Sequence, residues 1–165
     1  MSAQNSMAKL PDLSDSALLL IGFQNDYFSA DGILHGVIEA SSKATGALKN
    51  TLHLLANYGE AFGTVVSTPI IFTRDYSELE NPVGILKTIK EVGAFRADSP
   101  GSRTIEELRP FKDLVTEVPG KRGLCAFSNT ELDAHLESRN IRRLVLAGTV
   151  TSLCIDSTAR MAVER

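Results

Sequence analysis

Two residues that lie far apart in the chain have the chemistry of a nucleophile and its cationic partner. Cys154 follows the apolar run RRLVLAG and falls in the first turn of the helix that SLCIDSTARMAVER predicts. The positive end of a helix dipole favours a thiolate, which is the reactive form of cysteine. Lys121 follows the apolar run LVTEV, and an ammonium beside the sulfur would favour the thiolate further. The alternative is that Cys154 is a structural cysteine and Lys121 a solvated loop residue.

The elements that position these two residues can be predicted from the sequence, in which short apolar runs alternate with helical stretches. The runs predict four strands, at residues 17–23, 69–74, 114–118 and 143–148, and one long helix is predicted over residues 43–59. Alternation of strands and helices indicates a parallel sheet covered on both faces. The sequence therefore predicts an α/β fold, a Rossmann-like three-layer α/β/α arrangement with a mostly parallel sheet.

Ligands of such sheets bind beyond the carboxyl ends of the strands. Gln24, Asn25 and Asp26 follow the first predicted strand, and Gly148 to Thr151 follow the fourth. Backbone N–H groups around Val150 and Cys154 could stabilise an oxyanion there. The three histidines form no H-x-H or H-E-x-x-H pair, so structural roles are favoured for them.

Composition excludes several classes of function. The formal net charge is −3 and no basic run occurs, so nucleic acid is not an expected partner. The longest apolar runs are too short to cross a bilayer, and residues 1–16 lack the pattern of a signal peptide, so we expect a flexible lead-in and no membrane partner. Two cysteines make no disulfide framework, which favours a reducing, cytoplasmic location.

The motifs, taken in their order along the chain, resemble the isochorismatase-like cysteine hydrolases, a family that includes nicotinamidases and other hydrolases of small amides or vinyl ethers. LLLIGFQNDYF is similar to the family's D-x-Q-N-D-F strand, and KRGLCAFSNTELDAHL to its K-x-x-x-S-A-F-x-x-T-x-L segment. LVLAGTVTSLCIDSTARMA resembles its G-x-x-T-x-x-C-V signature. The resemblance implies one hydrolase domain over residues 17–165, which stops before the family's last strand and helices.

The family uses an Asp–Lys–Cys triad, which the resemblance carries to particular residues. Cys154 would be the nucleophile and Lys121 its cationic partner, with N–H groups of Val150 and Cys154 forming the oxyanion hole. The Thr149–Val150 bond would be the family's non-proline cis peptide. Substrate contacts would come from four further side chains: Gln24, Phe28, Tyr76 and Phe127.

The chain departs from the family pattern at two positions. The triad aspartate should stand two residues before Gln24, and that residue is Gly22. The D-x-H metal motif of nicotinamidases is also missing, since Asp75, Tyr76 and Ser77 occupy its place. We therefore expect no metal and no cofactor, as in the metal-free branch of the family.

The glycine leaves three explanations open. The protein could be a weakened or altered hydrolase whose proton acceptor is Asp26, Asp75 or the substrate itself. It could be a catalytically silent member that binds a small ligand or serves as an interaction or oligomerisation module. The sequence could also be altered at this position. If strands one and four are neighbours, a side chain at position 22 should point at the Cys154 thiol. A small-molecule substrate and a homo-oligomer are the partners expected.

Overall fold

The computed structural model describes residues 12–165, and its four strands form one parallel sheet. The strands are β1 (Leu13–Ile21), β2 (Phe62–Ser67), β3 (Val115–Glu117) and β4 (Arg143–Gly148), in the spatial order β3-β2-β1-β4. β1 pairs in parallel with both β2 and β4. With helices packed on the sheet, the predicted three-layer α/β fold is confirmed.

Six α-helices connect or follow the strands in the described part of the chain. They are α1 (Asn25–Phe28), α2 (His35–Thr45), α3 (Ala47–Tyr58), α4 (Gly84–Val92), α5 (Leu132–Glu137) and α6 (Asp156–Glu164). The single helix predicted over residues 43–59 is wrong, because Gly46 adopts φ 63° between α2 and α3. A left-handed glycine ends one helix, and the next starts directly after it.

The second strand lies earlier in the chain than predicted. β2 covers Phe62–Ser67, whereas residues 69–74 form no strand and make only an isolated bridge between Phe72 and Arg96. Ile70 and Phe72 lie in a loop but are buried, as strand residues would be. Burial by loops and burial in a sheet give similar apolar runs, which explains the error.

β1 is the central strand and sets the position of the site. Its residues from Ala17 to Ile21 are buried, with alternate side chains entering the two core clusters on opposite faces of the sheet. The predicted lead-in 1–16 is too long, since residues 13–16 belong to β1; residues 1–11 lie outside the described part. β1 ends at Ile21, so Gly22 lies beside the end of β4, where Ile21 pairs with Gly148.

Candidate active site

The two residues predicted as nucleophile and cationic partner meet at the carboxyl edge of the sheet. Lys121 Nζ lies 3.4 Å from Cys154 Sγ, and both residues are buried, with exposed fractions of 0% and 3%. Cys154 belongs to a π-helical turn, Thr151–Ile155, that leads from β4 into α6. Lys121 follows β3, and a hydrogen bond of 3.0 Å from Ala126 N to Thr158 Oγ1 ties this loop to α6.

The environment of Lys121 makes its ammonium a better proton donor than an ordinary lysine. Burial lowers the pKa of Lys121, whereas the charge of Cys154, the hydrogen bond to its sulfur and the charge of Cys125 act in the opposite direction. Nζ also donates to the Gly123 carbonyl. A buried ammonium with two acceptors can exist, but it gives up its proton more readily than one in water.

The loop between β4 and the π-helical turn contains Val150, the residue predicted to contribute an N–H group to an oxyanion hole. The Thr149–Val150 peptide bond is cis, as the resemblance implied. The Val150 carbonyl accepts hydrogen bonds from the N–H groups of Leu153 and Ile155. The Val150 N–H itself has no backbone acceptor among residues 12–165. The role of this N–H in an oxyanion hole stays a prediction.

Gly22 has a backbone that other residues adopt only with strain. Its φ is 76°, and a Cβ atom added there would lie 2.7 Å from the Thr149 carbonyl oxygen and 3.0 Å from Thr149 Cγ2. The expectation that a side chain at position 22 points at the thiol stays a prediction, and such a side chain would meet Thr149 first. Both the dihedral angle and the close approach of Thr149 favour glycine here.

Gln24 is fully engaged with the backbone of two loops. Its Nε2 donates to the carbonyls of Ile70 (2.8 Å) and Ser102 (2.7 Å), and its Oε1 accepts from Ile70 N at 2.9 Å. With an exposed fraction of 1%, this amide holds the loops after β2 and α4 against the end of β1.

Asp26 and Asp75 were considered as substitute bases, and neither forms a recorded contact with the Cys154 sulfur. Asp26 accepts a 2.6 Å hydrogen bond from Phe95 N, and burial raises the pKa of Asp26 against the opposing effect of N–H groups. Asp75 is exposed and accepts from Thr73 Oγ1 and Ser77 N, which lowers the pKa of Asp75. Both carboxylates have clear local partners that shape loops.

The three aromatic residues predicted to contact substrate have separate surroundings. Phe28 stacks on Phe23 with ring centroids 5.1 Å apart and lines a cavity of about 380 Å³ between α2, α3 and β4. The Tyr76 hydroxyl donates to the Ala94 carbonyl at 2.7 Å. The Phe127 ring lies 5.1 Å from the Arg165 guanidinium. Contact of these residues and of Gln24 with substrate stays a prediction.

Tyr27 is a residue of this region that the sequence did not single out. Its ring carbon Cδ2 lies 3.5 Å from the position of a Cβ on Gly22, and the residue is 2% exposed. Burial, with smaller contributions from the charges of Cys154 and Asp26, raises the pKa of the Tyr27 phenol. An aromatic residue directly after the polar cluster QND was the available signal, but it also fits a core residue.

Two kinds of feature are absent from residues 12–165. No cluster of three or more histidine, cysteine, aspartate or glutamate side chains there is arranged to hold a metal ion. None of the helices in that range combines the length and the apolar character needed to cross a membrane.

Comparison with known proteins identifies the family. Residues 16–165 match the isochorismatase domain model. The chain belongs to the isochorismatase family. It is 31% identical to the ureidoacrylate amidohydrolase RutB of Cronobacter turicensis over 97% of this chain and 75% of that protein.

Solved structures agree with this assignment. An isochorismatase family protein from Desulfovibrio vulgaris superposes with a TM-score of 0.72 at 25% identity, covering 91% of this chain and 75% of that one. N-carbamoylsarcosine amidase from Thermoplasma acidophilum, at 21% identity and a TM-score of 0.70, covers 92% and 77% and shares the fold. The resemblance seen in the motifs is confirmed, and the named relatives of this chain include amidohydrolases such as RutB.

Proposed function

We propose that the protein is a cysteine hydrolase that cleaves a small amide or ureido compound, with Cys154 as nucleophile and Lys121 as its acid–base partner. The observation that carries this proposal is the 3.4 Å contact between Lys121 Nζ and Cys154 Sγ in a buried site. A nucleophile within hydrogen-bond reach of a group that can exchange its proton is the arrangement that covalent catalysis needs.

The reaction follows from the pair. The Cys154 thiolate attacks the amide carbon, a C–S bond forms, and the N–H groups of Val150 and Cys154 receive the oxyanion. As the intermediate collapses, the C–N bond breaks and the Lys121 ammonium transfers its proton to the leaving nitrogen. Water then attacks the thioester and gives a proton to the Lys121 amine. Cleavage of the C–S bond releases the acid and restores the thiolate–ammonium pair.

The lowered pKa of Lys121 supports this dual role. An ammonium that is more acidic than usual protonates a leaving amine more easily, and the resulting amine can still accept a proton from water. In this scheme the family's aspartate is not needed to transfer the proton. Its loss at Gly22 then weakens catalysis without abolishing it.

The relative in Cronobacter turicensis is named for hydrolysis of ureidoacrylate, and we propose ureido compounds as the first substrates to test. Ammonia release from 3-ureidoacrylate, N-carbamoyl amino acids, nicotinamide and simple amides should reveal at least one substrate. The Cys154→Ala variant should release none. Equal release by the wild type and Cys154→Ala would refute a role for this cysteine.

A silent, ligand-binding member of the family is the second candidate. The glycine at position 22, held at φ 76° against Thr149, favours it because no carboxylate stands at the family's base position. Isothermal titration of 3-ureidoacrylate, together with intact-mass analysis for an acyl adduct on Cys154, separates the two. Binding without an adduct and without ammonia would support the silent member.

We also propose that the protein forms a homo-oligomer. Val145 of β4 and Val163 of α6 are apolar and are 38% and 88% exposed. Sedimentation velocity tests this proposal.

We further propose that the protein works in a reducing compartment, because its two cysteines, Cys125 and Cys154, are free.

A further inference from the structure

Thr68 is a buried threonine directly after β2, at the edge of the sheet where the candidate active site lies. Its N–H donates to the Leu20 carbonyl of β1 at 3.1 Å, so its backbone continues the sheet by one residue beyond β2. The preceding Ser67 carbonyl accepts a 2.8 Å hydrogen bond from Val118 N, in the stretch that leads from β3 to Lys121. Thr68 therefore lies between the carboxyl ends of β1 and β3.

The Thr68 side chain faces the cluster of buried apolar residues that contains Cys154. Its backbone is extended, as the residue before a proline favours, and an extended backbone sends alternate side chains to opposite faces. Val66 and Ile70, two residues to either side, both belong to that cluster. The Thr68 side chain, which is 0% exposed, consequently points into the same cluster.

The Thr68 hydroxyl has no partner in the protein. Among residues 12–165, its Oγ1 is the one fully buried side-chain nitrogen or oxygen atom that forms no hydrogen bond. Thr64, which precedes it on the same strand and the same face, shares a 3.1 Å hydrogen bond with His135 Nε2. A buried hydroxyl left unpaired lowers stability, so its presence calls for a reason other than folding.

We propose that Thr68 is a substrate-binding residue, whose hydroxyl is unpaired in the free protein and forms a hydrogen bond with an uncharged polar group of the bound substrate. The inference rests on the proposed hydrolase function and adds a binding contact to it. Thr68 is no more deeply buried than Lys121, so burial by itself does not separate it from the reacting pair.

The surroundings decide that the group bound by Thr68 is uncharged. The cluster around the hydroxyl is apolar. Lys121, the buried cation at this edge, already has the Cys154 sulfur and the Gly123 carbonyl as partners. A charged group would be left unpaired there, which costs far more than burying a neutral group with one hydrogen bond. An amide or ureido group meets this requirement.

The first test is the stability of Thr68→Val, in which a methyl group replaces the hydroxyl without a change of shape. We expect Tm of the free protein to rise by about 2–4 °C, because an unpaired buried polar group is removed. Thr64→Val is the matched control and should lower Tm, since His135 loses its partner. A lower Tm in Thr68→Val would overturn the proposal, because the hydroxyl would then have a partner in the free protein.

The second test is substrate affinity in the same variant, with 3-ureidoacrylate or nicotinamide, whichever the wild type hydrolyses faster. KM should rise about 5- to 10-fold, the effect of one neutral hydrogen bond, and kcat should change less than about twofold, because the contact serves ground state and transition state alike. Thr68→Ser keeps the hydroxyl and should keep KM within about twofold of the wild type. An unchanged KM in Thr68→Val, or an equal rise in Thr68→Ser, would overturn the contact.

A binding measurement separates this contact from the hydrolase function. In the Cys154→Ala background, isothermal titration calorimetry with the same two compounds should show Kd raised about 5- to 10-fold by Thr68→Val and unchanged by Thr64→Val. If the wild type hydrolyses neither compound and Kd still rises, the hydrolase proposal fails and the contact stands. If a compound is hydrolysed and Kd does not move, the contact fails alone. Neither binding nor turnover of either compound would overturn both.

Discussion

The two halves of the site differ in how their polar groups are used. On the side of β3 and β4, Lys121 and Cys154 are buried against each other, and the adjacent Val150 N–H has no backbone partner among residues 12–165. On the side of β1, Gln24 and Asp26 direct their polar atoms at backbone groups of neighbouring loops. One half holds groups that can react, and the other holds the loops in place.

This difference bears on the missing aspartate. Burying a charged or polar group is costly unless it is paired, and the buried side chains of Gln24 and Asp26 both have hydrogen-bond partners. In the proposed function, the chemistry belongs to the pair Cys154 and Lys121. A glycine at position 22 is therefore compatible with the polar contacts that shape these loops.

The largest expected effect comes from removing the Lys121 ammonium on the side of β3 and β4. Lys121→Met keeps most of the side-chain volume and removes the ammonium, so turnover should fall about 10²- to 10⁴-fold, the contribution typical of a positioned acid–base group. Ammonia release from the best substrate and the rate of Cys154 alkylation by bromoacetamide measure it. Lys112→Met, at an exposed lysine, is the control. Full activity in Lys121→Met would rule out the pair as the reacting unit.

The same pair, Lys121 and Cys154, predicts that turnover depends on pH. In the proposed mechanism activity requires the Lys121 ammonium, and burial lowers the pKa of Lys121 below the usual 10.5. Turnover should therefore decline as the pH rises through that lowered pKa, before an exposed lysine would titrate, and fall up to about tenfold per pH unit beyond it. A pH–rate profile on the wild type measures this limb. A profile that stays flat through pH 10.5 would contradict the assignment.

A substitution on the β1 side of the site should lower the stability of the protein rather than change its catalysis. Gln24→Met keeps the volume of the side chain but leaves Ile70 N and two carbonyls without their partner. We expect the free energy of unfolding to fall by about 1–3 kcal/mol, the cost of a buried polar group left unpaired. Urea denaturation measures the change. Asn57→Met, where the exposed amide bonds only His53, should be close to neutral.

The sequence predicted the reactive half better than the supporting half for a physical reason. Cys154 and Lys121 each follow a strand that was placed correctly, β4 at residues 143–148 and β3 within residues 114–118. Parallel strands end at one edge of a sheet, so the two side chains could be expected to meet.

The β1 half depends on loops, which follow no period. Gln24 holds Ile70 and Ser102, which are 46 and 78 residues away, and nothing in the local pattern identifies such partners. The misplacement of β2 has the same cause, since Ile70 and Phe72 are buried by loops. The positive φ of Gly22 is likewise a property of the folded chain, because glycine is also common where no such angle is needed.

The smallest expected effect is at Gly22 and tests why the carboxylate is absent. Gly22→Ala should reduce the free energy of unfolding by about 1–2 kcal/mol, because a residue with a Cβ is strained in the left-handed region. Contact with the Thr149 carbonyl, 2.7 Å from that Cβ, adds to the cost. Gly36→Ala is the matched control: it lies in α2 with no atom within 4 Å of its Cβ, and should be neutral or slightly stabilising.

Gly22→Asp extends this test to activity. An aspartate with this backbone would meet Thr149 before it could reach the thiol, so we expect a loss of stability like that of Gly22→Ala and no gain in ammonia release. Thermal unfolding and the substrate assay on the three variants decide the point together. A gain of 10²-fold or more, the size of a restored proton acceptor, would mean that the loop of Thr149 moves aside to admit a carboxylate. Both halves of the site would then be able to react, and the glycine alone would separate this chain from an Asp–Lys–Cys hydrolase.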